Sequence, residues 1–159
     1  MNMDFNKISK LLASMIICEL AGAMGSVFTI SQINGWYAGL VKPSFNPPNW
    51  IFAPIWTALF ILMGIALYLV WTGKKEISKK KAVQIFAVQL VLNVLWSLVF
   101  FGLHSPVMGF LIIVPLWIAI FLTIKEFYKI SKVASYLLVP YILWVSFASV
   151  LNAFIWFLN

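Results

Sequence analysis

Five apolar runs separated by short polar connections constrain this chain more than any other feature: Ile8 to Ile30, Trp50 to Trp71, Ala82 to Gly102, Val107 to Ile124 and Val133 to Leu158. Each comes close to the about 20 residues that a helix needs to cross the hydrocarbon of a bilayer. In lipid the backbone has no water to bond to, so segments of this kind must be helices packed on one another. The expected fold is an all-α integral membrane protein: a five-transmembrane-helix bundle, one domain over residues 1–159, with spans at about 8–30, 50–71, 82–102, 107–124 and 133–158. Composition agrees, since only 9% of residues are charged where soluble domains carry roughly a quarter. The first run follows a short basic segment, as a signal peptide would, but it is too long for such a segment and lacks a small-x-small exit. The connections at 73–78, 103–106 and 128–132 leave no room for a second domain.

The net charge of +7 comes entirely from lysine, with no arginine to grip phosphate in two-pronged fashion. The lysines lie between apolar runs, which argues against nucleic acid as a partner and for the bilayer. Lys7 and Lys10 precede the first span, Lys74, Lys75, Lys79, Lys80 and Lys81 lie between spans two and three, and Lys125, Lys129 and Lys132 join spans four and five. Lys42 alone falls on the other face. By the positive-inside rule the N-terminus is cytoplasmic and the C-terminus outside, a multi-pass arrangement expected in a prokaryotic cell membrane.

The longest break in the apolar pattern is WYAGLVKPSFNPPNWIFAPIW, from Trp36 to Trp56. Pro43, Pro47, Pro48 and Pro54 each remove a backbone donor and restrict the preceding residue, so most of this stretch is a structured loop running into a helix. Trp36, Tyr37, Trp50 and Trp56 give it aromatic anchors. In span three Gln89, Asn93, Trp96 and Phe100 share one helix face. Either the two amides bond to neighbouring helices, or they line a cavity together with the Trp96 indole. In span five Trp144, Ala148 and Asn152 recur at four-residue steps after Pro140, which can kink the start of that span. Ala148 leaves space either for a neighbouring helix or for a ligand. In span one Ala21, Gly22, Gly25 and Ser26 form overlapping small-xxx-small pairs that favour close packing, inside the bundle or between two protomers.

Glu19 is the one acid well inside a span, which makes it either a functional group or the partner of an amide such as Gln89. Cys18 is single and reads as a small packing residue. His104 is the only histidine and reads as a helix-ending residue, so neither a metal site nor a catalytic triad is expected.

Taken together, these motifs resemble the translocator protein and tryptophan-rich sensory protein family, TspO/MBR. WYAGLVKPSFNPPNWIFAPIW is similar to the family's first loop and second helix, QLVLNVLWSLVFFG (Gln89 to Gly102) to its third, and LLVPYILWVSFASVLN (Leu137 to Asn152) to its fifth, while Gly25 and Ser26 match the Gly-Ser of its first. The resemblance implies a receptor for tetrapyrroles and other hydrophobic aromatic ligands, with a role in tetrapyrrole handling or stress regulation. It needs no obligatory cofactor; a porphyrin of the protoporphyrin IX or haem type is the implied ligand, and a homodimer the implied assembly. By motif, Trp56, Asn93, Trp144 and Ala148 would line the ligand pocket, joined on periodicity by Trp96. The lid over residues 31–49 would comprise Trp36, Tyr37, Pro43, Pro47, Pro48 and, at its junction with helix two, Trp50. Oxidative porphyrin degradation dependent on Trp56 and Trp144 is an alternative, as is transport of a hydrophobic solute. The chain departs from many members at Phe45, where they carry tryptophan, and its end, LNAFIWFLN, lacks the tyrosine and basic residue of the cholesterol-recognition pattern found in animal members.

Overall fold

The computed structural model describes residues 5–74 and 76–159, the side chains of 76–78 excepted. Lys75, one of the lysines between spans two and three, lies outside the described residues. The helices are α1 (Phe5–Ile33), α2 (Trp36–Gly39, a single turn), α3 (Phe52–Thr72), α4 (Glu76–Ser97), α5 (Pro106–Ile130), α6 (Lys132–Leu137) and α7 (Val139–Leu158). Among the described residues five segments are long and apolar enough to cross a bilayer: Phe5–Ile33, Asn49–Thr72, Lys79–Gly102, Pro106–Ile130 and Lys132–Leu158. The chain is thus a multi-pass integral membrane protein. α1 packs on α3 and α4, α4 on α5, α5 on α6 and α7, and α6 on α3, which closes the bundle into a ring. Round that ring the spans run in the order one, three, four, five, two.

Small residues let the helices approach. A Cβ on Gly64 would sit 3.0 Å from the Met15 Cα, so α3 touches the backbone of α1 there. A Cβ on Gly22 would lie 2.6 Å from the Phe60 ring, and one on Gly25 would lie 3.1 Å from the Ser97 hydroxyl. The small-residue stripe of α1 therefore serves packing inside the bundle, toward α3 and α4. Its opposite face, with Leu12, Ile16, Leu20, Met24 and Val27, is exposed, as expected of a surface that meets lipid.

Local chemistry sets the ends of the spans. Pro54 falls in the first turn of α3, where its missing donor costs nothing. Ser105 caps α5 by accepting from the Met108 N–H at 3.3 Å, with Pro106 next in line. Ser131 caps α6 in the same way through Ala134, also at 3.3 Å. Span five is broken at Leu138, and Pro140 starts the new helix α7. Span three ends in a π-turn over Leu98–Gly102, with the Leu103 N–H reaching back to the Leu98 carbonyl at 2.9 Å. His104 then adopts φ 54°, a left-handed conformation that stops the helix. At the opposite end of the bundle the buried Glu126 accepts from Lys129 at 2.8 Å and faces Lys81 at 3.2 Å, tying α5 to α4.

Candidate ligand-binding cavity

A cavity of about 450 Å³ opens between α1, α3, α4 and α7, under the α1–α3 connection. That volume is in the range of small-molecule sites, roughly 300–1,000 Å³. Each helix contributes residues at helical spacing. α3 supplies Phe52, Trp56 and Phe60 from the lid downward. α4 and its π-turn supply Asn93, Trp96, Ser97, Phe100 and Phe101, and α7 supplies Trp144, Ala148, Leu151, Asn152 and Ile155. α1 lines the remaining wall with Glu19 at its lowest point, then Gly22, Gly25 and Ser26. Trp56, Asn93, Trp96, Trp144 and Ala148 thus all face one space.

A hydrogen-bond network holds these walls. Tyr141, fully buried on α7, donates to the Gln89 Oε1 at 2.8 Å and accepts from the Asn93 Nδ2 at 2.9 Å. The Trp96 indole donates to the Asn152 Oδ1 at 3.1 Å, and the Asn152 Nδ2 donates to the Pro106 carbonyl at 2.7 Å. Both amides of span three therefore bond across the bundle, and Asn93 also lines the cavity while Gln89 does not. Gln89 is engaged with Tyr141 and Met63, so Glu19 has no amide partner there. In this setting Trp144 stands apart: its Nε1 is buried and has no hydrogen-bond partner among the described residues. A buried indole N–H without an acceptor is unfavourable unless a ligand supplies one.

Aromatic packing continues the walls upward. Trp56 stacks on Phe60 at 5.8 Å and meets the edge of Tyr141 at 6.2 Å, Trp96 stacks on Phe100 at 5.3 Å, and Trp144 meets Phe52 edge-on at 6.0 Å. The π-turn buries consecutive Phe100 and Phe101, and both reach the cavity.

The roof is the α1–α3 connection. Tyr37 is 2% exposed, lines the cavity from above and donates to the Asn46 Oδ1 at 2.7 Å. Burial pushes its phenol up to about 12. Lys42 spends its ammonium on the carbonyls of Tyr37, Ala38 and Leu40 at 2.7, 3.2 and 3.0 Å and sits 4.9 Å over the Tyr37 ring. It is a cap for the α2 turn. The Asn159 side chain clamps the Val41 N–H and carbonyl, both at 3.0 Å, fastening the connection to the end of α7. Phe45 wedges edge-on against Phe147 and Phe154 at 6.2 and 5.2 Å. Pro43, Pro47 and Pro48 lie in this strap without lining the cavity, and Trp50, 73% exposed, projects from its far end.

Trp36 faces elsewhere. It stacks on His104 at 4.8 Å, beside a second hollow lined also by Pro106, Val107 and Trp156. His104 in turn shares a 2.9 Å hydrogen bond with the Gln32 side chain, so the histidine joins the α4–α5 turn to the lid. Sequence reasoning did not single out Tyr141, Phe60 or Asn159. Tyr141 precedes Trp144 by three residues on the same face, and that spacing is the signal that could have found it. Nothing local marks Asn159. Among the described residues no group of histidine, cysteine, aspartate or glutamate is arranged to hold a metal.

Fold and site together define a polytopic helical membrane protein with an aromatic cavity under a tethered lid. The TspO/MBR family profile matches residues 14–157, and the chain belongs to that family. It is similar to the tryptophan-rich protein TspO of Chlorobaculum tepidum, 52% identical over 144 residues that cover 90% of this chain and 91% of that one. The tryptophan-rich protein TspO of Archaeoglobus fulgidus is 49% identical over 153 residues, 96% of this chain and 98% of its own. The human translocator protein is 36% identical over 137 residues, 84% and 80% of the two chains.

Proposed function

We propose that this protein is a membrane receptor for tetrapyrroles and related flat hydrophobic molecules, with porphyrins of the protoporphyrin IX or haem type as ligands. The observation that carries this reading is the cavity itself: three indoles on three helices around one space, the N–H of Trp144 being buried and unpaired. Flat apolar rings gain most from such walls, through burial and offset stacking. Trp56 and Trp144 offer the stacking faces, Asn93 and Ala148 shape the floor and one side, and the strap from Tyr37 to Trp50 covers the top. Family membership supports a hydrophobic-ligand role at the family level.

Titration of the purified protein with protoporphyrin IX, read as quenching of tryptophan fluorescence, tests it. Saturable quenching that weakens about tenfold in Trp144→Ala supports the reading, since truncating a buried aromatic anchor costs at least that much. Non-saturable quenching, or quenching indifferent to Trp56 and Trp144, refutes it.

The same reading places the lysine-rich end and the N-terminus in the cytoplasm of a prokaryotic cell, with the lid and C-terminus outside, as the lysine asymmetry supports. A cysteine introduced at exposed Ser44 should react with a membrane-impermeant maleimide on intact cells, and one at Lys132 should not. A homodimer belongs to this reading as well. Since Gly22 and Gly25 are occupied inside the bundle, the dimer would use other faces, and crosslinking in native membranes tests for it.

A further inference from the structure

Two polar groups of the cavity without a protein partner, the Trp144 indole N–H and the Glu19 carboxyl, sit on opposite walls. Several of the others are engaged. Asn93 bonds to Tyr141, Trp96 to Asn152, and Asn152 to the Pro106 carbonyl. Ser26, Thr29 and Thr57 each donate back to their own helix, to the carbonyls of Ala23, Gly25 and Ala53. On α7 the Trp144 Nε1 is a free donor. On α1 the carboxyl group of Glu19, the lowest cavity residue of that helix, makes no hydrogen bond or ion pair with any described residue. Among the described residues no lysine lines the cavity, and the one on the lid side, Lys42, is held by three backbone carbonyls. A carboxyl group within a span is costly unless something complements it.

We infer that Glu19 is a recognition group for a cationic or N–H nitrogen on the ligand, so that the cavity selects flat aromatic molecules with a nitrogen donor at the α1 side and an acceptor for Trp144 across from it. This rests on the reading of the cavity as an aromatic ligand site and adds the ligand's polarity to it. It also orients a porphyrin. The propionates would turn toward the lid, away from Glu19, because like charges inside the membrane repel strongly at low dielectric.

The mouth fits this assignment. Below the Gly22–Phe60 and Gly64–Met15 contacts α1 and α3 touch closely. Above them the cavity residues Ala23, Ala53 and Thr57 are exposed, one turn nearer the lid than Glu19, which places that part of the cavity wall next to lipid. A cationic amphiphile entering there from the bilayer would reach Glu19 one turn further in.

The test uses three probes of one three-ring shape with the protein in zwitterionic nanodiscs: 9-aminoacridine, a cation at neutral pH; 9-methylanthracene, neutral; and anthracene-9-carboxylate, an anion. The expected result is that 9-aminoacridine binds at least about tenfold tighter than 9-methylanthracene, the anion weakest, as a charge-assisted hydrogen bond would give. Glu19→Gln should abolish that preference while leaving 9-methylanthracene affinity unchanged. Should Glu19→Gln fail to fold, Ala23→Lys serves instead. It sets a cation one turn along the same wall, where it pairs with Glu19, and should weaken 9-aminoacridine by a larger factor than 9-methylanthracene, erasing the preference for the cation. A preference that survives these substitutions, or no preference in the parent while 9-methylanthracene still binds, overturns the role of Glu19 and leaves the aromatic cavity standing. If neither 9-methylanthracene nor protoporphyrin IX binds, the ligand-site reading falls and takes this inference with it.

Discussion

Gly22→Ala is the sharpest perturbation of the wall between α1 and the cavity. The added methyl would lie 2.6 Å from the Phe60 Cδ2 and 2.7 Å from its Cε2. Carbon pairs settle at about 3.5–4.0 Å, so the ring must retreat by about 1 Å. Phe60 is 4% exposed and stacked under Trp56, so the direction with room is into the cavity. Overpacking of this kind costs about 1–3 kcal/mol, and replacing glycine by alanine within a helix returns about 1 kcal/mol. The net loss is therefore up to about 2 kcal/mol, or a fall in melting temperature of up to about 8 °C for a chain of this size. The assay is thermal unfolding in detergent micelles on a double-mutant cycle with Phe60→Leu. In the Phe60→Leu background the clash is relieved, and Gly22→Ala should become neutral or stabilising. Protoporphyrin affinity should fall in the single variant and recover in part in the double one. A parent Gly22→Ala that melts higher than the unmodified protein, or a cycle without coupling, would refute the packing argument.

Other outcomes follow from the same geometry. Tyr141→Phe removes a hydroxyl shared by Gln89 and Asn93, and should lower stability by about 1 kcal/mol, set by the modest worth of hydrogen bonds between membrane helices; Tyr128→Phe, at an exposed position, is the control expected to do nothing. Asn159→Ala cuts both bonds to Val41, so backbone amides at 40–46 should exchange hydrogen faster and a bound ligand should leave sooner. In alkaline titration followed by tyrosinate absorbance, Tyr37 should ionise only near pH 12. Its raised value means that the lid contact stabilises fully below the ordinary tyrosine value of about 10 and fades between there and pH 12, a loss that Tyr37→Phe should abolish.

Much of this protein is legible along the chain because lipid leaves a backbone few choices. An apolar run of sufficient length must be a helix, and alternating helices place every second connection on the same end. The spans, and the gathering of the lysines opposite the lid, follow from that alone. Helical spacing likewise puts Asn93 and Trp96 on one face of α4, and Trp144 and Ala148 on one face of α7. The proline-rich strap is readable as non-helical because proline cannot donate.

Spacing states a direction round a helix but not what meets it. Whether the glycines of α1 served a dimer or the bundle was decided by Phe60 and Ser97, which lie far off in sequence. Gln89 and Asn93 could have faced each other, Glu19 or a ligand; Tyr141 took both, and that left Glu19 without a partner. The π-turn at Leu98–Gly102, the His104 stack on Trp36 and the grip of Asn159 on Val41 have no local signature, because each depends on groups brought together by packing. The sequence by itself determined a five-span bundle with aromatic inner faces and a stiff outer strap. Only the tertiary structure decided which polar groups satisfy one another, and that the Trp144 indole and the Glu19 carboxyl have no partner among the described residues.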